Sequence, residues 1–84
     1  MSWKAEFSNR FLKKHRRFTK TIKVQVSRAA SEVLKAPYSG IPLVGPLKGL
    51  WRWRTGKYRI IYSIDPKEKV VRFVTVELRR KVYK

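Results

Sequence analysis

The carboxyl-terminal half of the sequence constrains the fold most, because three strand-like runs follow one another there with only short turns between them. Residues 51–54 alternate strictly between tryptophan and arginine, residues 58–64 form a second run, and residues 70–76 are almost entirely apolar. Turn-forming residues separate them at 55–56 and at 65–68. The spacing therefore predicts an antiparallel three-stranded meander, with the apolar third strand inside the sheet.

The amino-terminal half shows a change of period. Residues 3–7 alternate between apolar and charged side chains, which predicts a first strand. Ser8 can then cap a helix over residues 9–17, and Thr19 or Thr21 can cap a second helix. The second helix carries one apolar stripe and should stop before Pro37; the stripe consists of Ile22, Val26, Ala29, Ala30, Val33 and Leu34.

Taken together, these elements predict an α+β fold. The order is β-α-α-β-β-β, with two amino-terminal helices packed on one face of an antiparallel sheet and the other face open. With 84 residues, we expect a single domain over residues 1–84. The segment 38–49 is rich in glycine and proline and is predicted to be a loop. Periodicity leaves open whether the first strand lies at the sheet edge or between later strands.

Charge narrows the possible partners. Lys and Arg total 22 against 5 Asp and Glu, which gives a net charge of +17. Basic residues run through every segment, including the strands, so nucleic acid fits better than a membrane surface, and an acidic protein partner can coexist with it. The chain has no cysteine, no apolar run typical of a secretory signal and no membrane-length apolar stretch. We therefore expect a cytoplasmic protein without a membrane partner.

The first predicted hairpin separates cations from aromatic residues. With Thr55 and Gly56 as the turn, Arg54 pairs with Lys57 and Arg52 with Arg59. Period-two alternation then places four cations on one face, namely Arg52, Arg54, Lys57 and Arg59, and places Trp51, Trp53, Tyr58 and Ile60 on the other. Facing like charges destabilise a sheet unless an anion binds between them, and phosphate suits arginine. The alternative is a solvated face that keeps the sheet soluble.

Residues 46–83 resemble the RelE/ParE toxin superfamily. The resemblance lies in LKG at 47–49, WRWRTGKYRIIYSID at 51–65 and RRKVY at 79–83. It implies the RelE-like fold and the toxin of a type II toxin–antitoxin pair. It also implies an endoribonuclease that cleaves messenger RNA, usually on the ribosome, by attack of a ribose 2′-hydroxyl on the adjacent phosphate. The resemblance implies neither a metal nor another cofactor.

The same resemblance implies roles for individual residues. Catalytic roles fall on Arg52, Arg54, Arg59, Arg79 and Tyr83, and RNA-binding roles on Lys48, Lys57, Arg80 and Lys81. In this assignment Arg59 stabilises the transition state, and Tyr83 stacks on a base or assists proton transfer. One position departs from the family pattern, because Leu78 stands where many relatives carry histidine. The general acid and base therefore stay unassigned.

Partners and alternatives follow from the resemblance too. It implies messenger RNA on the ribosome, with ribosomal RNA contacts, and an acidic antitoxin. We expect the antitoxin to cover Arg52, Arg54 and Arg59 or to displace the tail that holds Tyr83. The toxin would be a monomer when free and part of a hetero-oligomer with the antitoxin. Two alternatives remain, a ParE-like poison of DNA gyrase and a non-catalytic basic domain that binds nucleic acid.

Overall fold

A computed structural model of the protein describes residues 2–79. Two helices pack against a mixed five-stranded sheet of order β1-β5-β4-β3-β2, which confirms the predicted α+β class. In chain order the elements are β1 (Lys4–Phe7), α1 (Asn9–Arg16), α2 (Lys20–Lys35), β2 (Ile41–Pro42), β3 (Leu50–Thr55), β4 (Tyr58–Asp65) and β5 (Val70–Leu78).

Both helices begin at the predicted caps. The Ser8 hydroxyl accepts a hydrogen bond from the amide of Phe11, and the Thr19 hydroxyl accepts one from the amide of Ile22. The second helix ends at Lys35, two residues before Pro37, as the steric effect of proline on its predecessor requires. Thr19 rather than Thr21 is therefore the cap of α2.

Two strands differ from the prediction. The sheet is not wholly antiparallel, because β1 lies at one edge and runs parallel to β5, with Lys4 opposite Val70. Alternation reveals which face a side chain takes but not the direction of the strand, so the sequence could not settle this pairing.

The second difference is β2, a two-residue strand inside the predicted loop, which forms the other edge beside β3. Its Pro42 is tolerated because the strand is at an edge.

The core lies between the helices and one face of the sheet. Its largest side chains are Tyr62 on β4 and Phe73 on β5, both fully buried. The predicted stripe of α2 supplies buried Val26, Ala29, Ala30 and Val33, and Phe11 is the buried residue of α1. β5 lies inside the sheet as predicted, between β1 and β4. The opposite face of the sheet carries no helix within residues 2–79 and is called the open face below.

A bulge in β5 changes which residues reach the open face. Ile61 lies opposite Thr75, but Tyr62 lies opposite Phe73, so Val74 is an extra residue on β5. The carbonyl of Val74 accepts a 2.5 Å hydrogen bond from the Ser8 hydroxyl, which ties the start of α1 to this point. Beyond the bulge the alternation is reversed, so Val76 returns to the core.

Tyr62 also fixes the segment that follows α2. Its hydroxyl donates a 2.7 Å hydrogen bond to the carbonyl of Pro37. A methyl group at Gly40 would overlap the Tyr62 hydroxyl and come within 2.8 Å of the Arg52 carbonyl oxygen, so only glycine fits there. Burial raises the pKa of Tyr62 to about 12. The hydroxyl thus stays protonated and bonded over the whole physiological range.

We expect Tyr62→Phe to alter the response of stability to alkaline pH. The folded-state pKa lies above the ordinary 10.0, so the contribution of Tyr62 is fully present below pH 10 and is lost as pH rises towards 12. Relative to the variant, the wild type should lose up to about 1.4 kcal/mol of unfolding free energy per pH unit in this window. At neutral pH the variant should be about 1 kcal/mol less stable. Urea unfolding measures the free energy of unfolding of the two proteins at each pH. If the difference between them stays constant as pH rises from 10 to 12, the raised pKa of Tyr62 is contradicted.

Candidate nucleic-acid interface

The β3–β4 hairpin turns one residue later than predicted. Gly56 and Lys57 form the two-residue turn, and Thr55 pairs with Tyr58. Arg54 consequently lies opposite Arg59 rather than opposite Lys57. The reason is conformational, because Gly56 takes a φ of 58° and glycine at the first position of a two-residue turn adopts such values without strain.

The shift leaves the two faces of the hairpin unchanged, since each strand keeps its own alternation. Arg52, Arg54 and Arg59 share the open face, as predicted, and are called the arginine cluster below. Lys57 is an exposed turn residue and not a fourth member of the sheet face. On the other face Ile60 is buried in the core, and Trp51, Trp53 and Tyr58 pack against it, also as predicted.

No guanidinium of the arginine cluster forms an ion pair with a carboxylate in the part of the chain that is described. No carboxylate between residues 2 and 79 lies within 4.0 Å of its guanidinium nitrogens. The Nε atoms of Arg52 and Arg59 are buried and have no hydrogen-bond partner there. Unpaired buried donors and facing like charges are both unfavourable. This end of the open face is therefore arranged to receive an anion.

The far end of the open face is neutralised instead. Arg72 on β5 binds Glu6 of β1 at 2.9 Å and Asp65 of β4 at 3.4 Å. The hydrogen bond from Arg72 to Glu6, followed by the charge of Glu6, raises the pKa of Arg72 above its ordinary value. The same sheet surface thus has a paired end beside β1 and a cationic end at the hairpin.

Three consecutive carbonyl groups of the hairpin turn accept hydrogen bonds from Gln25 and Arg79. Gln25 of α2 donates from Nε2 to the Thr55 carbonyl at 2.9 Å. Arg79 donates from Nη1 to the Gly56 carbonyl at 3.2 Å and from its backbone amide to the Lys57 carbonyl at 2.5 Å. Arg79, a predicted site residue, therefore lies at the hairpin. Gln25 was missed, because nothing in the sequence links α2 to a turn thirty residues later.

The remaining predicted site residues lie apart from these strands. Lys48 is exposed and precedes β3, at the end of that strand away from the turn. It stays a predicted RNA contact that the geometry does not bring into the arginine cluster. Arg80, Lys81 and Tyr83 lie outside the described residues. Leu78, at the family's histidine position, is the exposed last residue of β5 and pairs with Tyr58.

Glu77 is a site residue that the sequence did not reveal. It lies directly opposite Arg59 on the open face, because the bulge reverses the alternation of β5. Lys14 of α1 binds it at 2.8 Å, and Thr75 donates a 2.9 Å hydrogen bond. The hydrogen bond from Lys14 is the main reason that the pKa of Glu77 lies below its ordinary value. Glu77 is thus an ionised carboxylate beside the arginine cluster.

Within residues 2–79 no three His, Cys, Asp or Glu side chains come together as potential metal ligands. None of the helices in that range is long and apolar enough to span a bilayer.

We expect Arg54→Gln to stabilise the free protein. The substitution removes one of two facing cations, and such a pair costs about 0.2–1 kcal/mol. The gain in unfolding free energy should shrink as salt screens the charges. Lys67→Gln is the control, since it removes one exposed cation from the β4–β5 turn. Lys67 lies near the carboxylates of Asp65 and Glu68 in the sequence and not opposite another cation. A loss of stability in Arg54→Gln, measured by urea unfolding at low salt, would contradict the repulsion.

Comparisons with known proteins agree with this architecture. The family model of the ParE toxin of type II toxin–antitoxin systems matches residues 3–83. Comparison with curated protein sequences gives no significant match. Among solved structures, the toxin–antitoxin complex RelBE2 from Mycobacterium tuberculosis matches with a TM-score of 0.87 at 25% identity, covering 94% of this chain and 100% of that chain.

Two further structures show the same fold. The archaeal RelE–RelB complex from Pyrococcus horikoshii matches with a TM-score of 0.78 at 21% identity, covering 98% of this chain and 100% of that one. The isolated RelE toxin from Escherichia coli gives 0.79 at 21% identity, covering 95% of this chain and 87% of that one. Because the family model spans nearly the whole sequence, the chain belongs to the ParE toxin family of type II toxin–antitoxin systems, within the RelE/ParE superfamily.

Proposed function

We propose that this toxin is an endoribonuclease that cleaves messenger RNA, on the ribosome, without a metal ion. The observation that carries the proposal is the arginine cluster, in which Arg52, Arg54 and Arg59 share the open face and have no carboxylate partner within residues 2–79. Guanidinium groups bind phosphate oxygens in pairs of hydrogen bonds. A phosphodiester laid across this face would satisfy the buried Nε atoms and relieve the repulsion.

The proposed reaction is an internal transesterification. The ribose 2′-oxygen attacks the adjacent phosphorus, the bond to the 5′-oxygen breaks, and the products are a cyclic phosphate and a 5′-hydroxyl. Negative charge grows on the phosphoryl oxygens in the transition state. Fixed cations directed at that charge contribute about 3–4 kcal/mol each when they act as in an oxyanion hole. Arg59 is the central member, because its strand β4 lies between β3 and β5.

The other predicted residues would hold the RNA. Lys57 on the turn and Lys48 before β3 are both exposed and can bind neighbouring phosphates. Arg80 and Lys81 would extend this path, and Tyr83 would stack on a base. Exposed cations at the end of α1 and just after it, among them Lys13, Arg16 and Arg17, are suited to the ribosomal RNA backbone. Each such contact makes binding more sensitive to salt.

The proposed protein partner is an acidic antitoxin. The matched structures from Mycobacterium tuberculosis and Pyrococcus horikoshii are complexes of a toxin with its antitoxin. The net charge of +17 and the unpaired arginine cluster favour a partner segment rich in Asp and Glu. Such a segment would cover the arginine cluster and so block RNA directly; displacement of the tail that holds Tyr83 is the other route.

Cleavage in a translating extract tests the activity. New messenger 5′ ends, mapped by primer extension, should be phased to codons in the wild type. Arg59→Ala should reduce their rate of formation by about 10²–10³-fold, because it removes transition-state charge stabilisation, and Tyr83→Phe should also reduce it. Lys67→Ala, a cation of the opposite turn, should retain the wild-type rate.

Other outcomes of this assay contradict the proposal in different ways. Cleavage that persists in Arg59→Ala would remove the arginine cluster from the mechanism. DNA breaks that depend on gyrase, without RNA products, would identify a gyrase poison. Salt-sensitive RNA binding without either product would identify a non-catalytic binding domain.

Charge reversal tests the antitoxin surface. Arg54→Glu should weaken the complex with the antitoxin by about tenfold or more, since it places a carboxylate against an acidic segment. Calorimetric titration of the purified antitoxin measures this, and Lys67→Glu is the control with the same change of charge at the opposite turn. Equal affinities for both variants would show that the antitoxin docks elsewhere.

A further inference from the structure

The arginine cluster provides no group that can remove a proton from the attacking hydroxyl. Arginine stays protonated in proteins, with a pKa above about 12, and so cannot act as a base. Two carboxylates of the open face, Glu6 and Asp65, are bound to Arg72 at its far end. Within residues 2–79, Glu77 is the carboxylate that lies on the open face beside the cluster, directly opposite Arg59.

We propose that Glu77 is the general base that accepts the proton of the ribose 2′-hydroxyl; this inference rests on the proposed ribonuclease function. Directly opposed residues of an antiparallel pair have Cβ atoms about 4.5–5.5 Å apart. A phosphate bound by Arg59 would therefore bring its neighbouring ribose close to Glu77. Position relative to the phosphate is the first requirement for such a base.

The contacts of Glu77 leave one oxygen available. Lys14 at 2.8 Å, Thr75 at 2.9 Å and Arg10 at 3.7 Å all approach Oε2. Each of these contacts is made to Oε2 and none of them to Oε1. Lys14 and Thr75 thus orient the carboxylate through Oε2, with Arg10 a looser neighbour, and Oε1 is the oxygen that we assign to the substrate hydroxyl. A carboxylate fixed in this way is preorganised for proton transfer.

The surroundings of Glu77 keep it ionised. The facing charged and titratable groups are Arg10 and Lys14 of α1, Arg17 just after it, and Tyr58 and Arg59 of β4. Lys14 holds the pKa of Glu77 below its ordinary value, so the carboxylate carries no proton at neutral pH. The same shift lowers its basicity, so the role of Glu77 rests on its position beside the phosphate.

A groove beside the carboxylate gives a nucleotide access. It has a volume of about 360 Å³ and lies between α1 and the end of β5. Phe18 and Tyr58 line it and meet edge to face, with their ring centroids 5.0 Å apart. Aromatic walls next to cations suit an unstacked base.

The step balances with these groups. The 2′-hydroxyl proton passes to Oε1 of Glu77 while the 2′-oxygen forms its bond to phosphorus. The bond from phosphorus to the 5′-oxygen breaks, and that oxygen takes a proton from water. Glu77 then returns its proton to solvent. The products are the cyclic phosphate and the 5′-hydroxyl named above, and no oxidant or reductant is needed.

The test compares single-turnover cleavage by the wild type and Glu77→Gln, with a defined messenger on programmed ribosomes and free in solution. The wild-type rate should be flat from about pH 6 to about pH 8, because Glu77 is ionised throughout. Glu77→Gln should be about 10²-fold slower or worse at neutral pH. Its residual rate should rise about tenfold per pH unit, because hydroxide must replace the lost base. RNA affinity should change little.

Two further variants separate catalysis from anchoring. Glu68→Gln makes the same chemical change at an exposed turn position and should retain the wild-type rate and the flat profile. Lys14→Met breaks the ion pair but keeps the carboxylate, so it should lose far less than Glu77→Gln and stay pH-independent. If Lys14→Met matches Glu77→Gln in rate and pH response, Glu77 only anchors α1 and the inference fails.

The remaining outcomes are also decisive. A wild-type rate and flat profile in Glu77→Gln, together with loss of cleavage in Arg59→Ala, would overturn the role of Glu77 and leave the ribonuclease proposal intact. Absence of cleavage by the wild type on both substrates would remove the ribonuclease proposal and this inference with it.

Discussion

Burial on one side of the sheet is the constraint on which the rest of the structure depends. A chain of 84 residues buries only about 60–65% of the surface that it exposes when unfolded. Here both helices cover the same face, where Tyr62 and Phe73 form the centre of the core. The opposite face stays open, and the arginine cluster and Glu77 lie on it. Because both helices pack on one face of the sheet, the other face remains accessible to a ligand.

The like charges of the arginine cluster destabilise the free protein, and no ion pair within residues 2–79 neutralises them. The acids of β1 and β4 pair with Arg72 at one end, while Arg52, Arg54 and Arg59 stay unpaired at the other. A family of toxins controlled by antitoxins suits this arrangement, because an acidic partner and an RNA phosphate would compete for the same unpaired charge. If either ligand binds as proposed, its binding energy would offset the stability given up in the free protein.

Hydrogen bonds to the hairpin turn and a bulge in β5 position the strands at the cationic end of the open face. Gln25 and Arg79 bond the three carbonyls of the hairpin turn, so α2 and the end of β5 both restrain the strands that carry the arginine cluster. The bulge at Val74 has a larger effect, because one inserted residue turns Glu77 to the open face. The same residue binds the cap of α1, which brings Lys14 within reach of Glu77.

The sequence by itself determined the helices, the Ser8 cap of α1, the apolar stripe of α2 and the faces of the hairpin, because these depend on the pattern of residues within one element. It left Thr19 and Thr21 as alternative caps of α2, and the structure shows that Thr19 is the cap. Even the misplaced turn kept Arg52, Arg54 and Arg59 together, since the alternation of each strand is its own. Only the tertiary structure decided the parallel placement of β1, the bulge at Val74, and the meeting of Glu77 with Lys14. The placement of β1 and the meeting of Glu77 with Lys14 depend on contacts between residues more than sixty positions apart, and the bulge depends on how β5 pairs with β4. Periodicity within one element carries no information about which segments will pair.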